Sequence, residues 1–103
     1  MTETKKKIYL SGPITLLGVK RARANFMMEA ARLRARGFDV LTPFDNGLEK
    51  DAPYEEHMKA DIEMLRNCDV ICMLPGWRKS EGARRERKAA EEMGKGIVEI
   101  KLV

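Results

Sequence analysis

Four short apolar runs, "KIYLSG" (7–12), "FDVLTP" (38–43), "DVICML" (69–74) and "IVEIKL" (97–102), alternate with three helical patterns, and this alternation constrains the fold most. A helix between two strands gives the chain enough length to return parallel to its start while covering one face of the sheet. Gly12-Pro13, Pro43 and Pro75-Gly76 stop the first three runs in turns. From about Lys20 to Arg36, Ala24, Met27, Met28, Ala31 and Ala35 recur at spacings of three and four, which predicts an amphipathic helix closed by Gly37. Tyr54 to Arg66 is a second helical pattern, and Ser80 can cap a third running to about Met93, before Gly94 and Gly96. The expected fold is a small doubly wound α/β sheet, flavodoxin-like or Rossmann-like, with about four parallel strands and three helices in one domain over residues 1–103.

In such a sheet the first and third strands lie side by side where the winding reverses, and ligands bind beyond their carboxyl ends. The loops expected there are "SGPIT" after the first strand and "LPGWRKS" after the third. The segment "FDNGLEKDAP" (44–53), with Asn46-Gly47 and Pro53, is a loop long enough to have a task of its own. Lys and Arg number 20 against 16 Asp and Glu, a net charge of +4 that favours an anionic partner. No apolar run approaches the roughly 20 residues of a membrane span. "MTETKKK" leads into a strand-like run rather than a signal-peptide core, so the expected location is cytoplasmic. Two cysteines, Cys68 and Cys72, and one histidine, His57, do not make a disulfide framework or a metal site.

The third helix carries an acid in an unusual place. On a helix, residue 86 shares a face with 82, 83, 89, 90 and 93, which are Gly82, Ala83, Ala89, Ala90 and Met93. Glu86 therefore lies on the small apolar stripe that presses toward the sheet, while Arg84, Arg85, Arg87 and Lys88 fall to the sides or the opposite face. An inward carboxylate with no base in its own stripe is costly unless hydrogen bonds or a function retain it. Asp61 repeats the feature on the second helix, sharing a face with His57, Met58, Met64 and Leu65. Each acid either shapes the fold by bonding a backbone group or a tyrosine, or serves chemistry.

Other candidates carry two readings each. Tyr9 is a core residue whose phenol can also donate to an inward carboxylate. Gly82 and Ala83 leave space beside Glu86 for a ligand. Ser80 caps the third helix, whose first-turn amides also suit an anion. Trp77 is a loop anchor or a stacking surface for a flat ring. Lys20, Arg21 and Arg23 read as a solvated helix face from which one could reach a phosphate. Met27, Met28, Met58, Met64 and Met93 read as core packing.

"IYLSGPIT", "DIEMLRNCDVICML" and the S-x-G-x-x-x-E spacing of Ser80, Gly82 and Glu86 together resemble the nucleoside 2-deoxyribosyltransferase superfamily, including its nucleoside 5′-monophosphate N-glycosidase branch. The resemblance covers most of the chain in the same order. It implies cleavage of an N-glycosidic bond through a covalent glycosyl-enzyme, with Glu86 as nucleophile on the anomeric carbon. By the same resemblance Asp61 contacts base or sugar and helps the leaving base accept a proton, Tyr9 holds the nucleophile, and Ser11, Gly12, Pro13 and Ile14 line the pocket beside the base. Deoxyribosyltransferases carry Asp six positions before the nucleophile; Ser80 resembles instead the monophosphate glycosidases, where the serine contacts the 5′-phosphate. Trp77 and Gly82 complete the expected substrate-binding set. No metal or organic cofactor is implied, and neighbouring subunits complete each site in this superfamily, so a homodimer or larger homo-oligomer is expected. One departure is the run Arg84-Arg85-Glu86-Arg87-Lys88, where the superfamily has small residues; bulky groups there would narrow or re-aim the site.

Two further readings follow from the same residues. A protein that kept the nucleotide pocket without the reaction would act as a sensor or sequestering module. Nucleic-acid binding through Lys79, Arg84, Arg85, Arg87 and Lys88 is disfavoured because Glu81, Glu91 and Glu92 interrupt the basic track on the same helix.

Overall fold

The structure, a computed structural model, describes residues 5–101. The elements follow as β1 (Lys7–Ser11), α1 (Val19–Ala35), β2 (Asp39–Leu41), α2 (Tyr54–Arg66), β3 (Val70–Met73), α3 (Glu81–Glu92) and β4 (Gly96–Glu99), with single 3-10 turns at Pro43–Asp45 and Trp77–Lys79. All seven expected elements are present, and the two 3-10 turns are additions that the sequence reading lacked. The last strand ends at Glu99, earlier than expected, and Leu102 of that expectation lies outside the described residues.

The sheet order is β2-β1-β3-β4, with every pair parallel. β1 and β3 are therefore adjacent, with Ser11 level with Met73, and the winding reverses between them. Side chains alternate along β1. Ile8 and Leu10 join Phe26, Ala30, Val40, Cys72 and Leu74 on the face covered by α1. Tyr9 points to the other face, among Leu65, Ile71, Met73, Ala83 and Ala90 under α2 and α3. Ser11, two residues on, falls on the Tyr9 face, and this alternation positions the site.

Gly37 stops α1 as expected. It adopts φ 95°, and the N–H groups of Gly37 and Phe38 bond back to the carbonyls of Arg34 and Leu33. The buried face of α1 is a correction to the sequence reading. Ala22, Phe26 and Ala30 are buried, with Leu33 packed against them, whereas Ala24, Ala31 and Ala35 are exposed and Met28 is 63% exposed. A single large ring outweighs several alanines in area removed from water, so Phe26 sets the rotation of the helix. Met58 is buried, and Met27, Met64 and Met93 are half-buried around the two clusters. Cys68 and Cys72 are free, buried thiols. Among the described residues no helix is long and apolar enough to cross a membrane, and no group of three or more His, Cys, Asp and Glu side chains is gathered to hold a metal.

Candidate active site

Glu86 is buried against the carboxyl end of β1, 3% exposed. The Tyr9 hydroxyl donates to its Oε2 at 2.9 Å and the Ser11 hydroxyl to its Oε1 at 2.6 Å. The arrangement follows from two periodicities meeting. Period two on β1 aims Tyr9 and Ser11 at the same helix, and the α3 stripe of Ala83, Glu86 and Ala90 presents the acid to them. Burial pushes the Glu86 carboxyl up to about 8, the neighbouring Asp61 charge adds to this, and the two hydroxyl bonds pull the other way. The Tyr9 phenol is itself held well above its ordinary range, first by burial and then by Glu86.

Asp61, 4% exposed, reaches the same space from α2. Burial raises its proton affinity, while the Asn46 bond, Glu86 and His57 each lower it. Asn46 Nδ2 donates to Asp61 Oδ1 at 2.9 Å and also lies 2.9 Å from His57 Nδ1. Asn46 Oδ1 accepts the Leu48 N–H at 2.9 Å, and His57 Nε2 lies 3.0 Å from the Glu49 carbonyl. In the sequence Asn46-Gly47 reads as turn chemistry and His57 only as part of a helix face. Neither reading could join them, because the contact closes across 11 residues of loop and helix.

A cleft of about 900 Å³ opens above the two acids. Gly12 and Ile14 after β1, Asn46 in the long loop, His57 on α2 and Ser80 and Gly82 at the start of α3 are among its walls. Ser80 Oγ accepts the Ala83 N–H at 3.2 Å, so its capping role is present at the cleft wall. Arg23, alone of the three basic residues considered on α1, lines the cleft, with its guanidinium 5.4 Å from the centre of the Phe44 ring. The space beside Gly82 is partly filled: a Cβ there would stand 3.3 Å from the Met58 methyl and 3.4 Å from the Tyr54 hydroxyl. Tyr54, which the sequence reading passed over, is thus a wall of the cleft.

Two expected pocket residues stand elsewhere. Trp77 is buried outside the cleft lining, its Nε1 donating to Glu99 at 3.1 Å and its ring centre 4.7 Å from the Arg78 guanidinium and 5.0 Å from that of Arg87. It is a loop anchor and not a face of the cleft, because the 3-10 turn after Gly76 carries it toward β4. Pro13 lines a second cavity of about 370 Å³ on the α1 side, with Phe26 and Leu74. Ser11 is fully buried and touches the cleft only through Glu86. The basic run around Glu86 does not narrow the cleft. Arg84 bonds the Arg78 carbonyl, Arg85 pairs with Glu55 at 2.8 Å, Arg87 stacks on Trp77, and Lys88 is exposed.

A parallel sheet in the order 2-1-3-4 with three helices is an architecture shared with two solved structures. The CMP N-glycosidase BcmB of Clostridium botulinum matches with a TM-score of 0.65 at 20% identity, over 91% of this chain and 70% of its own. The 2-desoxiribosyltransferase of Leishmania mexicana matches with a TM-score of 0.71 at 24% identity, over 92% of this chain and 63% of its own. The chain therefore spans about two thirds of their length, and at these identities the likeness is one of fold. No curated protein matches the sequence. Residues 6–99 match the family described as "Domain of unknown function (DUF4406)", and the chain belongs to that family.

Proposed function

We propose that this protein cleaves the N-glycosidic bond of a nucleoside or nucleoside 5′-monophosphate, by hydrolysis or by transfer to another base, with Glu86 as nucleophile. The observation that carries the reading is a buried carboxylate held on both oxygens by Tyr9 and Ser11, with a second buried acid, Asp61, beside it at the wall of the same open cleft. Two hydroxyl donors aim Glu86 and favour its ionised form. With no substrate bound, burial and the Asp61 charge keep the proton on Glu86, whose carboxyl is pushed up to about 8. As the sugar moves toward an oxocarbenium ion, the positive charge growing beside Glu86, with the two hydroxyl donors, draws that proton across to Asp61. A Glu86 oxygen then bonds to the anomeric carbon as the bond to the base nitrogen breaks. The electron pair leaves with the base, which takes the Asp61 proton. Water, or the nitrogen of a second base, attacks the same carbon, the glycosyl ester breaks to restore the Glu86 carboxylate, and Asp61 recovers a proton from the attacking group.

Substrate recognition is assigned to the cleft walls. Ser80 and the amides of the first turn of α3, with Lys79 beside them, suit the 5′-phosphate, and Gly12 and Ile14 flank the base. The net charge of +4 is in keeping with an anionic ligand. A second copy of the chain would cover the open side of the cleft, where Leu16, Val19, Leu48 and Tyr54 are exposed.

The test is base release from a panel of ribo- and deoxyribonucleoside monophosphates, read by chromatography. Wild-type protein should release base from at least one member, and Glu86→Gln and Glu86→Ala should release none while remaining folded by circular dichroism. Undiminished turnover in either variant removes Glu86 from the mechanism. Tight calorimetric binding without product in the wild type points instead to a binding module built on the same pocket.

A further inference from the structure

The polar groups around Asp61 leave one consistent placement of hydrogens. The Leu48 backbone N–H can only donate, so the Asn46 atom it meets is Oδ1 and the other is the amide nitrogen. The Glu49 carbonyl can only accept, so His57 Nε2, 3.0 Å away, carries the ring hydrogen. His57 Nδ1 then accepts one Asn46 Nδ2 hydrogen, and Asp61 Oδ1 accepts the other. Both donors of Asn46 are thereby committed, and it has none left for a ligand.

We propose that Asn46 and His57 are positioning residues for Asp61: the amide, held by His57 Nδ1 and Leu48 N–H, occupies Asp61 Oδ1 so that Oδ2 is the oxygen that holds and delivers the proton. This rests on the acid role assigned to Asp61 above. Turning the amide over is no alternative, because it would set its oxygen against Asp61 Oδ1 and its nitrogen against the Leu48 N–H.

Nuclear magnetic resonance on the full chain tests this without any substrate, so the outcome stands whether or not the protein is a glycosidase. Long-range 15N correlations should show His57 as the Nε2–H tautomer at neutral pH. His57→Leu, which offers Asn46 no acceptor, should move the 13Cγ midpoint of Asp61 up, whereas His57→Asn, whose side-chain oxygen can accept at the place of Nδ1, should keep it near wild type. Asn46→Asp keeps the size and the Leu48 contact but replaces the donor with a charge, and should move the Asp61 midpoint up by about one pH unit or more. An Nδ1–H tautomer, or an unmoved Asp61 midpoint in His57→Leu or in Asn46→Asp, each overturns the proposal. With an active substrate in hand, Asn46→Asp should lower kcat at least tenfold with a smaller change in KM, since Asn46 acts through Asp61 and not on the ligand; a change confined to KM counts against it.

Discussion

Ser11 Oγ lies 2.6 Å from Glu86 Oε1, a contact between residues 75 positions apart that joins the end of β1 to the middle of α3. The serine is fully buried. Ser11→Ala removes a hydrogen bond to a group that ionises, an interaction of about 1.5–3 kcal/mol. Under the proposed mechanism kcat should fall roughly 10- to 100-fold. The alkaline shift of the Glu86 titration should also grow, because one of the two donors holding the anion is gone. Turnover equal to wild type would mean that Ser11 does not hold the nucleophile.

Glu86 should make the fold weaker as the solution becomes alkaline. Its folded value stands near 8, against an ordinary value of 4.5, so between those limits the folded chain binds more protons than the unfolded one. Stability is then fully present below the unfolded value and is lost as pH rises through the folded value. Urea unfolding at several pH values should show this fall, and Glu86→Gln, uncharged and close in size, should flatten it. An equal slope in the two proteins would assign the alkaline loss to other groups.

Gly12 leaves no room for a side chain. A Cβ would stand 2.7 Å from the Leu74 Cβ, which is a stem atom and cannot swing aside. Gly12→Ala should therefore force the loop after β1 away from β3 and lower stability by about 1–3 kcal/mol. Thermal unfolding measures this directly, and ligand affinity should fall with it, since Gly12 lines the cleft.

Trp77 should matter to stability and not to binding. Trp77→Phe loses the hydrogen bond to Glu99 while keeping an aromatic ring against Arg78 and Arg87. A cost of about 1 kcal/mol is expected, a fall in Tm of roughly 4–8 °C for a domain of this size. The dissociation constant for a nucleotide should stay within twofold of wild type by calorimetry; a larger loss would bring the indole back to the cleft.

Much of the architecture is legible in the sequence. Apolar runs closed by Gly and Pro mark the strands, spacings of three and four mark the helices, and α2 begins and ends at the expected residues, Tyr54 and Arg66. Glu86 stood out because its helical neighbours are all small or apolar, and they are indeed buried or half-buried. The face of α1 was less legible, because alanines and methionines fit the same spacing on both sides of the helix and only the packed sheet shows that Phe26 wins. Trp77 was ambiguous for a similar reason: an unforeseen 3-10 turn sets the direction of its ring.

By itself the sequence determined what local periodicity can carry: four strands, three helices, an acid on the inner stripe of α3 and another on that of α2. Contacts between distant segments belonged to the tertiary structure, which brought Tyr9 and Ser11 to Glu86, joined Asn46 to His57 and Asp61, and turned Trp77 and Pro13 away. The physical reason is that a side chain's face follows from its near neighbours through the geometry of helix and strand, whereas a hydrogen bond across 75 residues exists only once the sheet order and the packing of each helix on it are set.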